Sequence, residues 1–205
     1  MSVYSIELNA LDGSPNFMQQ FEGKVTLVVN TVSKLGYTPQ CSTFWSYGRT
    51  VRQFWQLQQI HEEFKDRGFS VVGFPCNQFG QMEPRPNEEI YEWMQTTYPF
   101  VDFPMAEKID VNGKNASLVY AALLGNAVRV KDASPADTSE EAQAGWNKAG
   151  GAVARIPHSW EKFVVSRDGQ MITRFNWQSD PLDTVPLTTG ESWTIRECID
   201  EVLDY

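Results

Sequence analysis

Residues 24–41, KVTLVVNTVSKLGYTPQC, constrain the fold more than any other stretch of the chain. Lys24–Asn30 is a short apolar run rich in β-branched residues, entered from Gly23, and it predicts a buried strand. Thr31–Gln40 predicts a loop. Gly36 gives the backbone freedom there, and Pro39 suits the first turn of a helix, where its missing N–H costs nothing. A strand feeding a loop and then a helix N-terminus brings free N–H groups and the positive end of a helix dipole to that loop. Chemistry is expected at such a place, yet the residue at its tip is Leu35.

The rest of the chain falls into order around this unit. Tyr4–Asn9 and Asn16–Phe21 flank the turn Leu11-Asp12-Gly13-Ser14-Pro15 and predict a small β-hairpin. Gln40–Arg67 predicts one long helix, with Leu57, Ile60, His61 and Phe64 on one face, closed by Gly68. On that face His61 reads as a structural residue. Phe69–Pro75 is a second core strand, so the strand, helix and strand make a βαβ unit with a parallel pair. Asn87 suits the N-cap of a helix over Glu88–Thr97. Ser117–Leu124 predicts a short helix, and 126–156, without a clear period, a long surface loop. Asp168-Gly169 turns a hairpin between Trp160–Arg167 and Gln170–Asn176. Residues 178–190 form another loop, and Ser192–Leu203 an amphipathic closing helix. The order βαβ, helix, ββα is that of a single α/β domain over residues 1–205.

Charge and cysteine content narrow the partners. The formal net charge is −9 and there is no lysine or arginine run, which argues against nucleic acid and anionic membrane surfaces. No apolar run approaches the ~18 residues a membrane helix needs. The N-terminus has neither a basic nor an apolar leader segment. Three cysteines, Cys41, Cys76 and Cys198, make no secreted disulfide framework, so a cytoplasmic location with free thiols is expected.

The stretch around Leu35 resembles the glutathione peroxidase family, whose members read roughly VNVASKCGxTPQ, with cysteine or selenocysteine as the peroxidatic residue. GFPCNQFG at 73–80, EP at 83–84, NEEI at 87–90, FPMAEKIDVNG at 103–113 and WEKFVVSRDGQ at 160–170 extend the resemblance over roughly residues 3–177. It implies a thioredoxin-like fold of glutathione peroxidase type, a central mixed sheet flanked by helices. It also puts Leu35 at the nucleophile position, Met82 at the glutamine of GGQEP, and His158 and Ser159 at the tryptophan and asparagine of WNFEKF. All four positions of the peroxidase tetrad then differ, although Gln81 stands one residue before Met82.

A peroxidase of this kind needs an ionised thiol or selenol to attack the O–O bond, stabilised by hydrogen-bond donors. Leucine has no lone pair and no ionisable proton, and the thioether of Met82 only accepts weakly. Standard peroxidase activity is therefore not expected. Cys41, six residues past Leu35, and Cys76, in GFPCNQF, are the candidate reactive thiols. Trp146-Asn147 is the only Trp-Asn pair in the chain and a candidate replacement for the lost donors, and chance recurrence explains it as well. His158 is a candidate general base, donor or ligand in the former active-site pocket, with Ser159 as its hydrogen-bonding partner. Met82, His158 and a cysteine would suit a soft metal, but no close-spaced ligand motif supports this, and neither metal nor cofactor is expected.

Aligned to the family, residues 42–54 and 126–156 look inserted. The first carries Phe44, Trp45, Tyr47, Arg49 and Arg52, and aromatics with arginines beside a pocket suit a ligand with an apolar body and an anionic or π-rich group. A longer helix or an oligomer contact is the plainer reading of the same residues. Trp177 and Trp193 are placed to cover the same pocket or a contact between subunits. Three functions follow: a repurposed small-molecule pocket that uses His158, a non-catalytic binding or regulatory protein, or residual thiol-dependent peroxidase chemistry through Cys41 or Cys76.

Overall fold

The computed structural model describes residues 2–33, 44–131, 155–183 and 194–205, and of 44–49 and 127–131 the backbone alone. Among the described residues five strands form one sheet in the order β2-β1-β4-β5-β3. They are β1 (Val25–Thr31), β2 (Phe69–Pro75), β3 (Ala127–Lys131), β4 (Lys162–Val165) and β5 (Ile172–Phe175). The β1–β2 and β3–β5 pairs are parallel, and β1–β4 and β4–β5 antiparallel. Helix α1 (Phe44–Phe64) carries the crossover from β1 to β2. It ends in a 3-10 turn, Lys65–Arg67, stopped by Gly68 at φ 82°, a conformation glycine adopts without strain. Among the described residues the remaining α-helices are α2 (Asn87–Thr97), α3 (Leu118–Asn126) and α4 (Ile195–Leu203).

Both faces of β1 and β2 are covered, which explains why their sequences are continuous apolar runs instead of alternating ones. On one face Leu27, Val29 and Val71 pack under Phe54, Leu57 and Ile60 of α1 and Ile195 and Ile199 of α4. On the other, Val28, Val72 and Phe163 meet Tyr4, Phe17 and Phe21 and then Val119, Tyr120 and Leu123 of α3. Thr194 caps α4 in a capping box with Glu197, which satisfies two N–H groups at the helix start.

Three expectations need correction. The N-terminal β-hairpin is not formed. The chain does turn back, with Phe17 N–H donating to Leu8 O and Ala10 N–H to Ser14 O, both at 2.8 Å. Its flanks, however, are the 3-10 turns Val3–Ser5 and Phe17–Phe21, because Tyr4, Phe17 and Phe21 must all point into one core face. The stretch 126–156 is not loop throughout: Ala127–Lys131 adds the outer parallel strand β3. Asn87 is the first helical residue of α2 and Pro86 its N-cap, and the Asn87 side chain instead accepts the Lys108 N–H at 2.8 Å.

Candidate functional site

Four segments meet beyond the C-terminal end of β1: residues 30–33, the turn 76–85 after β2, residues 156–160 before β4, and Trp177 after β5. Asn30 ties the first to the third. Its Nδ2 donates to His158 O at 3.0 Å, and its carbonyl accepts the Trp160 N–H at 2.8 Å. Glu83 ties the first to the second, accepting both the N–H and the hydroxyl of Ser33. The Glu83 N–H in turn donates to Asn77 Oδ1 at 2.9 Å. Cys76 N–H donates to Thr31 O, which continues the β1–β2 ladder into the site.

The backbone here is strained. Among the described residues three non-glycines have positive φ, and two of them, Gln81 at 52° and Trp160 at 74°, lie on these turns. Such a conformation costs on the order of 1–3 kcal/mol and persists only where its surroundings hold it. Around Trp160 the holding groups are Asn30 O on its N–H, the buried Lys162 Nζ on its carbonyl at 2.8 Å, and the Phe54 ring, edge-on at 5.2 Å.

His158 is half-buried and well oriented. Its ring stacks on Trp177 at 4.6 Å and lies parallel to Phe79 at 6.3 Å. Its Nδ1 sits 2.9 Å from the carbonyl oxygen of Ser159 and 3.2 Å from the Ser159 hydroxyl. A carbonyl oxygen only accepts, so in the neutral ring the proton is on Nδ1. Nε2 is then left as an unprotonated acceptor, and among the described residues nothing bonds to it. Ser159 is buried, and its hydroxyl lies against this ring nitrogen.

His158 and Ser159, adjacent in the chain, are in hydrogen-bonding contact. Met82 is half-buried and packs on the core cluster that includes Val32, Phe103 and Trp160. Gln81 is exposed. Cys76 is fully buried beside Gln78, and burial pushes its thiol pKa up, the condition of an inert structural cysteine. Arg52 does not reach into the site: its guanidinium pairs with Asp180 at 2.6 Å, where Gln53 also bonds, so it ties α1 to the segment after Trp177. Leu35, Cys41, the side chains of Phe44, Trp45, Tyr47 and Arg49, the pair Trp146-Asn147, and Trp193 lie outside the described residues. The segment 44–54 forms the N-terminal half of α1.

Glu83, Asn30 and Phe79 also shape the site, and the sequence pattern alone assigns them no role. A signal was present: Glu83 follows Met82 directly, and an acidic residue among Met, Pro and aromatics is one that folding must either expose or pair. Among the described residues no group of three or more His, Cys, Asp and Glu side chains is placed to hold a metal ion. No described helix is long and apolar enough to cross a membrane.

Comparison with known proteins extends the sequence resemblance. A sequence model described as glutathione peroxidase matches residues 3–124. The hydroperoxy fatty acid reductase gpx1 of Synechocystis sp. is 38% identical over 180 residues, which covers 88% of this chain and 89% of the relative. The thioredoxin/glutathione peroxidase BtuE of Escherichia coli is 35% identical over 191 residues, covering 90% and 92%. Among solved structures, the apo form of Trgpx superposes with a TM-score of 0.62 at 25% identity, over 100% of this chain and 97% of that one. T. cruzi GPX1, at 21% identity and a TM-score of 0.54 over 99% and 95% of the two chains, shares the fold.

Proposed function

The chain belongs to the glutathione peroxidase family, and from that premise we propose that it has given up the family's peroxidase chemistry and binds a small molecule at the former peroxidase site. Leu35 stands where the resemblance puts the nucleophile, and a hydrocarbon side chain cannot attack an O–O bond. Met82, His158 and Ser159 stand where it puts the donors. The changes are concerted, as they would be once peroxide reduction no longer constrained the site. One observation carries the reading: the His158 ring is stacked on Trp177 with Nδ1 committed to Ser159 O, so Nε2 is a fixed acceptor. A ring so oriented suits a ligand that presents a hydroxyl or an acidic proton, with His158 as its base and Ser159 as the positioning residue.

A second reading is favoured by the relatives, several of which are peroxidases or peroxiredoxins. In it the Cys41 thiolate attacks a hydroperoxide, the O–O bond breaks, and the alcohol or water leaves as a sulfenic acid forms on sulfur. Two external thiols then reduce that acid to the thiol, releasing water and ending as a disulfide. Cys76 is a poor nucleophile for this route, being buried with its thiol held protonated.

One set of assays separates the readings. Consumption of hydrogen peroxide and of an organic hydroperoxide is followed with glutathione or thioredoxin as reductant, in wild type, Cys41→Ser and Cys76→Ser. The first reading expects no thiol-dependent turnover in any of the three. Turnover abolished by Cys41→Ser would replace it with the second. Native mass spectrometry of the purified protein then looks for a retained small molecule, which His158→Ala should release. Retention unchanged by His158→Ala would remove the histidine from its role.

A further inference from the structure

A second concavity lies away from this site and shares no residue with it. It is a cavity of about 350 Å³ between the N-terminal turn, α2 and residues 101–105. That volume falls at the lower end of the range for small-molecule sites, about 300–1,000 Å³. Its floor is apolar, with Leu11, Phe17, Met94 and Phe103 supplying core side chains to it. Such a floor takes an aromatic or aliphatic body and releases the water that covers it.

The rim is charged with one sign. Asp12 and Asp102 both line the cavity, and none of its lining residues is basic. Both carboxylates are oriented by the fold. Asp12 Oδ1 accepts the Ser14 N–H at 2.9 Å, which also holds the carboxyl below the ordinary aspartate range. Asp102 Oδ1 accepts from Gln58 Nε2 at 2.6 Å, and Gln58 Oε1 accepts the Asp102 N–H at 3.0 Å, so a buried glutamine grips the residue twice. The other oxygen of Asp102 has no protein partner among the described residues. Oriented carboxylates above an apolar floor select a ligand with a cationic end and a hydrocarbon end, since a carboxylate ligand would meet like charge and no donor cation. Tyr91, exposed at the wall, offers an aromatic face to the same cation.

We propose that this cavity is a binding site for small amphipathic amines, with the hydrocarbon part on Leu11, Phe17, Met94 and Phe103 and the ammonium group between Asp12 and Asp102.

The test uses phenethylamine, protonated at pH 7, and 3-phenylpropionate, which has the same body with the opposite charge. Each is titrated into the full-length protein while backbone amide signals are followed by NMR. Phenethylamine should produce saturable shifts at Asp12, Tyr91, Gln95 and Asp102, and 3-phenylpropionate should leave them in place. Asp12→Asn and Asp102→Asn keep an acceptor oxygen for Ser14 N–H and Gln58 Nε2 while removing the charge, so the fold survives them. Each should weaken phenethylamine binding about tenfold. Gln95 is exposed on α2, and Gln95→Trp fills the cavity without touching either carboxylate; it should abolish the shifts. Equal responses to the two probes would overturn the proposal. So would affinity unchanged in both Asp→Asn variants, or shifts confined to residues outside the cavity. A response centred on His158 and Trp177 would assign the amine to the other site.

Discussion

Ser33 gives both its backbone N–H and its hydroxyl to one carboxylate, that of Glu83, at 2.5 and 2.8 Å. Two segments 50 residues apart in sequence are thereby clamped at the end of β1, and the clamp is fully buried. Burial pushes the Glu83 pKa up and outweighs the Ser33 donors and the nearby Arg85 and Lys108 charges, which push it down.

Removing the carboxylate leaves a buried Ser33 N–H without its acceptor, so Glu83→Ala should cost about 2–3 kcal/mol of stability at neutral pH. The pH dependence has a definite sign. A carboxyl whose folded pKa lies above its unfolded value, ~4.3, binds more protons in the folded state between the two. Its contribution is greatest below the unfolded value and declines as pH rises through the folded one. Glu83→Gln removes that term. Urea unfolding of wild type and Glu83→Gln from pH 4 to pH 8 checks this: the gap between them should move against wild type as pH rises. A gap that moves the other way refutes the burial argument.

The chain has only two histidines, and their surroundings demand opposite tautomers. His61 Nδ1 accepts the Val71 N–H at 3.1 Å, so its proton must be on Nε2, which faces Asp102 at 3.8 Å. His158 Nδ1 faces the Ser159 carbonyl and must carry its proton. Two-bond ¹⁵N–¹H correlation spectra at pH 8 should show one ring protonated at Nε2 and the other at Nδ1. If both rings show the Nε2–H form, His158 Nε2 is not the acceptor that the proposed function needs.

Much of this was legible in the chain. Val25–Thr31 and Phe69–Pro75 announce themselves because strands buried on both faces must be apolar without interruption. Asp168-Gly169 fixed the β4–β5 turn, with Gly169 at φ 72° and Asp168 accepting the Gln170 N–H. The N-terminal segment departs from a hairpin because a turn signal says that the chain reverses, not that its flanks pair; the demand for Tyr4, Phe17 and Phe21 in one cluster decides the flanks. β3 is not legible in the sequence because AVRVK is one short run beside a polar stretch, and its strand state depends on β5, more than forty residues away. At the site, His158 and Ser159 came from the resemblance. The Ser33–Glu83 clamp did not, since it joins two segments that only the fold brings together.

His61 also predicts an acid sensitivity of opposite sign to that of Glu83. β2 stands at the edge of the sheet formed by the described strands, and the His61 ring satisfies the outward N–H of Val71 there. Burial lowers the His61 pKa, against the pull of Asp102. The folded state therefore favours the neutral ring. Its contribution is complete above the unfolded value, ~6.5, and is lost as pH falls through the lowered folded value. Protonation also converts the Nδ1 acceptor into a donor facing a donor. His61→Ala should cost about 1–3 kcal/mol at pH 8, and the cost should shrink towards pH 5. Thermal unfolding of the two proteins at both pH values measures it, and a cost that grows on acidification contradicts the assignment.

The buried pair Arg174–Glu161 gives a prediction about the loop that carries His158. Arg174 Nε donates to Glu161 Oε1 at 2.7 Å, and both side chains are 3% exposed. Arg174 Nη2 also donates to Arg155 O at 2.8 Å, three residues before His158, and its guanidinium lies 5.6 Å from the Phe163 ring. Glu161→Leu removes the carboxylate that faces the buried Arg174 guanidinium and should cost about 3–5 kcal/mol. Arg174→Met should cost a similar amount and should also free Arg155 from its tether. The double variant Glu161→Leu/Arg174→Met removes both charges and fills their volume, so it should be more stable than either single one, because neither desolvated ion is left alone. The tether supplies a readout apart from stability: in Arg174→Met and in the double variant, but not in Glu161→Leu, the His158 ring signals should move. A double variant less stable than both singles would mean that each ion is held favourably by groups outside the pair.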